Sequence, residues 1–177
     1  MNIWHDIPAS RIAADDFTAV IEIPKGGKNK YELDKETGLL RLDRVLYTAT
    51  QYPHNYGFIP RTLAADGDPL DVLVMCQEAI VPMTQVQVYP IGVIKMTDGD
   101  DADEKIIAVP FRDPSLSCYS DIAQLPQHTM DELRHFFTVY KMLEGKTTAV
   151  HEILGHEAAV EIVGQCMDAY NRKYNNA

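Results

Sequence analysis

The chain has 177 residues, 46% hydrophobic and 24% charged, with 16 Lys/Arg against 26 Asp/Glu and a formal net charge of −10. That length and apolar content predict one domain over 1–177 with its own core, and argue against a fibrous or disordered chain. No apolar run reaches the roughly 18–20 residues a membrane span needs, and no basic stripe offers itself to nucleic acid.

The opening MNIWHDIPAS carries neither the basic nor the apolar region of a secretory signal. Cys76, Cys118 and Cys166 are dispersed without a CxxC pair, which reads as three reduced thiols in a cytoplasmic protein.

In chain order, Phe17 to Ile23 is rich in β-branched residues, alternates, and stops at Pro24, as a strand does. Tyr31–Leu33 and Leu39–Leu42 flank the turn sequence DKETG and predict a hairpin. Further strands are expected at Val72–Met75, Val86–Ile94 and Ile106–Val109, cut by Pro, Gly and Asp clusters. Short strands with irregular turns suggest a small barrel or a strongly curved sheet.

The period changes after Pro126. Thr129-Met-Asp-Glu132 has the capping-box pattern, and Leu133, Phe136, Phe137, Tyr140 and Leu143 follow at helical spacing up to a stop at Gly145. A second helix is expected from about His156 to Lys173, with Ala159, Ile162, Val163, Cys166 and Tyr170 on one face. Strands first and helices last argue for α+β over an alternating nucleotide-binding sheet.

Two acidic clusters carry the chemistry. Asp66-Gly-Asp-Pro-Leu-Asp71 abuts an apolar strand, and its Gly and Pro shape a turn that can aim several carboxylates to one side. A solvated acidic turn is the plain alternative; the adjoining strand favours a hard cation held by oxygen, of the Mg²⁺ kind. Asp98-Gly-Asp-Asp-Ala-Asp-Glu104 also sits at a strand end. Alone it reads as a hydrated loop; beside the first cluster it suggests a shared polynuclear metal site. Neither run has an acid twelfth in order, so an EF-hand is excluded.

Lys30 and Glu32 face the same way on a strand, as a surface pair or as part of a site. Tyr52–Gly57 and Tyr140-Lys141 combine an apolar ring position with a phenol or ammonium able to reach a site edge. Phosphate-loop, dinucleotide and serine-hydrolase signatures are absent, and His151 and His156 stand five apart, not the four of a zinc protease.

The first cluster resembles the signature of the family I soluble inorganic pyrophosphatases. So do IEIP at Ile21–Pro24, KYELDKETG at Lys30–Gly38, LDR at Leu42–Arg44, YPHNYGFIP at Tyr52–Pro60, GVIKMTD at Gly92–Asp98, AVP at Ala108–Pro110 and HFFTVYK at His135–Lys141. The compact length is similar to the prokaryotic form. The resemblance implies a five-stranded OB-like barrel with two main C-terminal helices packed outside, three or four Mg²⁺ ions per site, and a metal-bridged hydroxide that hydrolyses pyrophosphate to two orthophosphates.

By motif position it implies Asp66, Asp71, Asp98 and Asp103 as metal ligands and Asp68 as general base. Glu22 and Glu32 match carboxylates that hold metal-bound waters, and Lys30, Arg44, Tyr56, Lys105, Tyr140 and Lys141 match the phosphate grip. It also implies a homohexamer, a dimer of trimers. Gly99 departs from the pattern, standing where related sequences often carry another acid. An OB-like module binding a cation or single-stranded nucleic acid is the competing class, disfavoured because acids dominate over a basic aromatic groove.

Overall fold

The computed structural model describes residues 2–174; the two ends of the expected 1–177 domain lie outside the described residues. The chain runs α1 (Ile3–Asp6), β1 (Phe17–Ile23), β2 (Asn29–Leu33), β3 (Leu40–Val45), β4 (Asn55–Ile59), β5 (Leu70–Val74), β6 (Gln85–Asp98) and β7 (Asp101–Pro110). It continues through α2 (Gln127–Val139), β8 (Thr148–Gly155) and α3 (His156–Tyr174).

Five strands close a ring in the order β1-β4-β5-β7-β6, with β6 pairing back onto β1. This is the expected OB-like barrel. Its one parallel pair is β5–β7, in register Asp71↔Lys105 through Val74↔Ala108. Closure removes the ring's free edges, while β8 extends the sheet outward from β6. The β2–β3 hairpin forms a separate two-stranded sheet.

Gly57 makes the β1–β4 crossing possible: a Cβ there would stand 1.9 Å from the Val20 carbonyl oxygen. Val72, Val93, Ile106 and Ala108 pack in one buried cluster with Ala159 and Val163 of α3. A second cluster packs Leu133, Phe136, Phe137 and Tyr140 against Leu73, Ile94 and Ile107 on the outer face. Trp4 and Tyr170 join the chain's two ends in a third.

The structure differs from expectation in five places. All seven residues of β1 are buried, because β1 pairs on both sides and both of its faces are covered; even Thr18 and Glu22 are enclosed. Strand β4 occupies the aromatic Pro-constrained segment for which no strand was expected. Strands β6 and β7 extend to a two-residue turn at Gly99-Asp100, placing Asp101 to Glu104 on a strand instead of a hydrated loop. Cross-strand pairing overrides the poor strand propensity of Asp there.

Strand β8 was not anticipated; Thr148, Val150 and Ile153 ahead of Gly155 were its available signal. Finally, α2 starts at Gln127 with Pro126 in the N-cap place, two residues before the capping-box motif, and ends at Val139. Leu143 falls in the 3₁₀ turn Met142–Glu144, which Gly145 closes at φ +70°, and is exposed. The second helix matches expectation, with Ala159, Val163 and Tyr170 buried.

Candidate active site

A cleft of about 870 Å³ opens between the β2–β3 hairpin, the mouth of the barrel and the C-terminal end of α2. All thirteen residues that the motif resemblance assigned to the metal site, the general base and the phosphate grip line it. Glu22 comes from β1, Lys30 and Glu32 from β2, Arg44 from β3, and Tyr56 from β4. Asp66 and Asp68 lie in the turn before β5 and Asp71 on β5. Asp98 ends β6, Asp103 and Lys105 lie on β7, and Tyr140 and Lys141 follow α2. Residues distant in sequence meet because ring closure brings the ends of β5, β6 and β7 together.

Lys105 lies at the centre, 2% exposed. Its Nζ lies 2.7 Å from Asp71 Oδ2, 2.8 Å from Asp103 Oδ1 and 3.0 Å from the Tyr56 hydroxyl. The Tyr56 hydroxyl also donates to Asp71. Burial pulls the ammonium down, but Asp71, Tyr56 and Asp103 outweigh it and hold Lys105 well above its ordinary value. Burial also raises the phenols of Tyr56 and Tyr140, so both are hydrogen-bonding acids and not phenolates.

The acidic turn is held locally. Gly67 takes φ +88°, which lets the chain reverse between two carboxylates. The Asp68 N–H donates to Asp66 Oδ1 at 2.9 Å. The Leu70 N–H donates to Thr62 Oγ1 at 2.9 Å and anchors the start of β5. Burial raises the Asp66 carboxyl, and the Asp68, Asp71 and Asp103 charges push it the same way. Lys35 pairs with Asp68 Oδ1.

Around the rim, Lys30 pairs with Glu32 and lies 3.8 Å from Asp43. Lys141 pairs with Asp98. Arg44 donates from Nη1 to Asp43 and from Nε to Glu144 Oε1 at 2.9 Å. Glu22 accepts from the Leu33 N–H at 2.7 Å, yet burial drives its carboxyl up to about 8.

The donor set suits a hard divalent cation. The cleft lining has ten carboxylates, seven Lys or Arg side chains, and no His or Cys. Burial raises the Asp66 carboxyl first and the neighbouring Asp68, Asp71 and Asp103 charges add to it, a combination that a bound cation would offset. Among the described residues no three of these groups form a ready-made cation cage; Lys105 and Lys141 are interleaved with them instead.

Sequence reasoning missed Asp43, Lys35 and Glu144. Asp43 stands inside the quoted LDR motif and Lys35 inside KYELDKETG, so both had a signal. Glu144 had none, since its partner Arg44 is 100 residues away. His151 lies on β8 with Thr97 3.3 Å away, and His156 meets the Pro90 carbonyl at 2.7 Å, so neither belongs to the cleft. The three cysteines are unpaired thiols, and burial raises that of Cys166 to about 11.

Fold and cleft together define a class: an OB-like barrel whose mouth gathers carboxylates beside Lys and Arg side chains. The family model described as "Inorganic pyrophosphatase" matches residues 19–171. Soluble inorganic pyrophosphatase 2 of Chlamydomonas reinhardtii is 48% identical over 171 residues, 97% of this chain and 89% of that protein. The crystal structure of the Thermus thermophilus inorganic pyrophosphatase aligns with a TM-score of 0.92 at 40% identity, over 97% of this chain and 99% of that one. The Helicobacter pylori enzyme aligns at 0.89 and 43% identity, over 94% and 99%. The chain belongs to the inorganic pyrophosphatase family.

Proposed function

We propose that this chain hydrolyses inorganic pyrophosphate with a polynuclear site of three to four Mg²⁺ ions, as one catalytic domain. One water adds across the P–O–P bridge and two hydrogen phosphates leave. The observation that carries this reading is the meeting of Lys105 with Asp71, Asp103 and Tyr56 in a cleft whose acidic groups are all carboxylates, with no His or Cys. Both halves of a phosphate-handling site are there in contact.

Asp66, Asp71, Asp98 and Asp103 hold the ions, and Glu22 and Glu32 orient their waters. When bound, such ions neutralise phosphate charge and acidify a coordinated water. Asp68 accepts the proton of the attacking water; Lys35 engages Oδ1, which leaves Oδ2 for it. Lys30, Arg44, Lys105 and Lys141 balance the four negative charges of the substrate. Tyr140 donates a hydrogen bond to a phosphate oxygen, and Tyr56 does so once its hydroxyl turns from Asp71.

Phosphate release from pyrophosphate with Mg²⁺ tests the reading. Two orthophosphates per pyrophosphate are expected, and none after EDTA treatment. No release, or release undiminished in EDTA, refutes it. Mn²⁺ or Zn²⁺ should substitute with altered specificity, and Ca²⁺, with its looser coordination, should inhibit.

For assembly we propose a homohexamer, a dimer of trimers, in the cytoplasm. Exposed Leu39, Tyr47, Val81, Met142 and Leu143 offer apolar surface for copies of the chain to cover. No described helix is long and apolar enough to cross a membrane. A mass near 20 kDa by light scattering at micromolar concentration would contradict the hexamer.

A further inference from the structure

The β2–β3 hairpin carries Lys30, Glu32 and Arg44 but shares no hydrogen-bond ladder with the barrel. Its base is tied by backbone bonds, Gly26 N–H to the Tyr52 carbonyl and Tyr52 N–H to the Gly27 carbonyl, so the placement of its outer part rests on side-chain contacts. The Arg44–Glu144 pair bridges the two bodies, from β3 to the 3₁₀ turn Met142–Glu144 that directly follows Lys141.

The pair is well enclosed: the side chains of Arg44 and Glu144 are 18% and 7% exposed. Glu144 engages Nε and Asp43 engages Nη1. The remaining nitrogen, Nη2, is buried with no hydrogen-bond partner among the described residues. A buried guanidinium nitrogen without an acceptor is costly, and Arg44 lines the cleft. Two of the three nitrogens are thus engaged by protein carboxylates, and the third lacks an acceptor.

We infer that Glu144 is a positioning residue for the pyrophosphate site: it orients the Arg44 guanidinium through Nε and clasps the hairpin to the turn bearing Lys141. Glu144 itself lies outside the cleft lining. The inference rests on the proposed role of Arg44 as a phosphate ligand. Guanidinium recognition of phosphate depends on a fixed plane, which a lysine or a freely rotating arginine does not supply.

The test is a cycle of Arg44→Ala, Glu144→Ala and the double variant, measured as pyrophosphate hydrolysis at saturating Mg²⁺ with thermal melts as fold controls. Glu144→Ala is expected to lower kcat/KM roughly 10-fold, mainly through KM, as loss of one charge-assisted hydrogen bond does. On the Arg44→Ala background it is expected to add less than about 2-fold. Glu144→Gln, which keeps an oxygen acceptor for Nε and the side-chain volume, should lose only about 2- to 5-fold.

Wild-type kcat/KM for Glu144→Ala beside an impaired Arg44→Ala would overturn the inference, as would full multiplicative losses in the double variant. If Glu144→Ala fails to fold, Glu144→Met, which keeps the volume but offers no oxygen acceptor, takes its place, and a wild-type KM for it would overturn the inference equally. Wild-type behaviour of Arg44→Ala itself would instead remove the proposed role of Arg44, and this inference with it.

Discussion

Asp71 and Lys105 are register partners on the only parallel strand pair of the barrel, with Nζ 2.7 Å from Oδ2. A parallel pair needs a long connection; here it spans β6, so the two residues lie 34 apart in sequence yet side by side. Lys105 is buried and takes Asp103 and Tyr56 as further partners. The pair thereby binds the DGDPLD cluster to the DGDDADE cluster.

Breaking that pair from one side leaves a charge without compensation. Lys105→Met should destabilise the metal-free protein by about 3–5 kcal/mol, whereas Lys105→Met combined with Asp71→Asn should recover much of the loss. Urea unfolding of the three proteins in EDTA checks this. Equal stability of Lys105→Met and wild type would mean that the buried ammonium is not held as described.

Asp68 and Asp71 should separate by function. Asp68→Asn is expected to lower turnover by roughly 10²–10⁴ with Mg²⁺ affinity nearly unchanged, as loss of a positioned base does. Asp71→Asn should damage both turnover and Mg²⁺ affinity. Titrating Mg²⁺ against turnover distinguishes them. Recovery of Asp68→Asn at high Mg²⁺ would make Asp68 a metal ligand.

Glu22 should show itself in the pH dependence of stability. Burial raises its carboxyl from 4.5 to about 8 in the folded chain. Between those values the folded state holds a proton that the unfolded state has lost. The Glu22 contribution is therefore intact below pH 4.5, declines as pH rises, and is gone above about pH 8. Glu22→Gln stays neutral throughout. In EDTA, its melting temperature relative to wild type should rise by several degrees from pH 5 to pH 9. A pH-independent difference would mean that Glu22 is solvated.

Gly57→Ala should fail sterically. The added Cβ would lie 1.9 Å from the Val20 carbonyl oxygen and 2.8 Å from its carbonyl carbon, both backbone atoms that cannot rotate aside. A loss of about 3 kcal/mol or more, or insoluble protein, is expected. A wild-type melting temperature would show that β1 and β4 separate easily.

The local features are legible in the amino-acid order alone. Strand β1, the β2–β3 hairpin, the α3 stripe and the turn shape of Asp66–Asp71 follow from period, β-branching, Gly and Pro. Each depends on neighbours within a few residues, so the chain's own order contains the signal. The motif resemblance named thirteen candidate site residues, every one of which lines the same cleft.

Tertiary structure decided what distant partners impose. Asp101–Glu104 became strand because β6 pairs with that segment, and β8 formed because β6 had a second edge to offer. Thr129 lost its capping role because α2 starts two residues earlier, beside Pro126. Glu144 joined Arg44 only when the turn after α2 met the hairpin. Backbone pairing and ion pairs across 30 to 100 residues leave no periodic trace, because their free energy appears only once the barrel has closed and the loop entropy has been overcome.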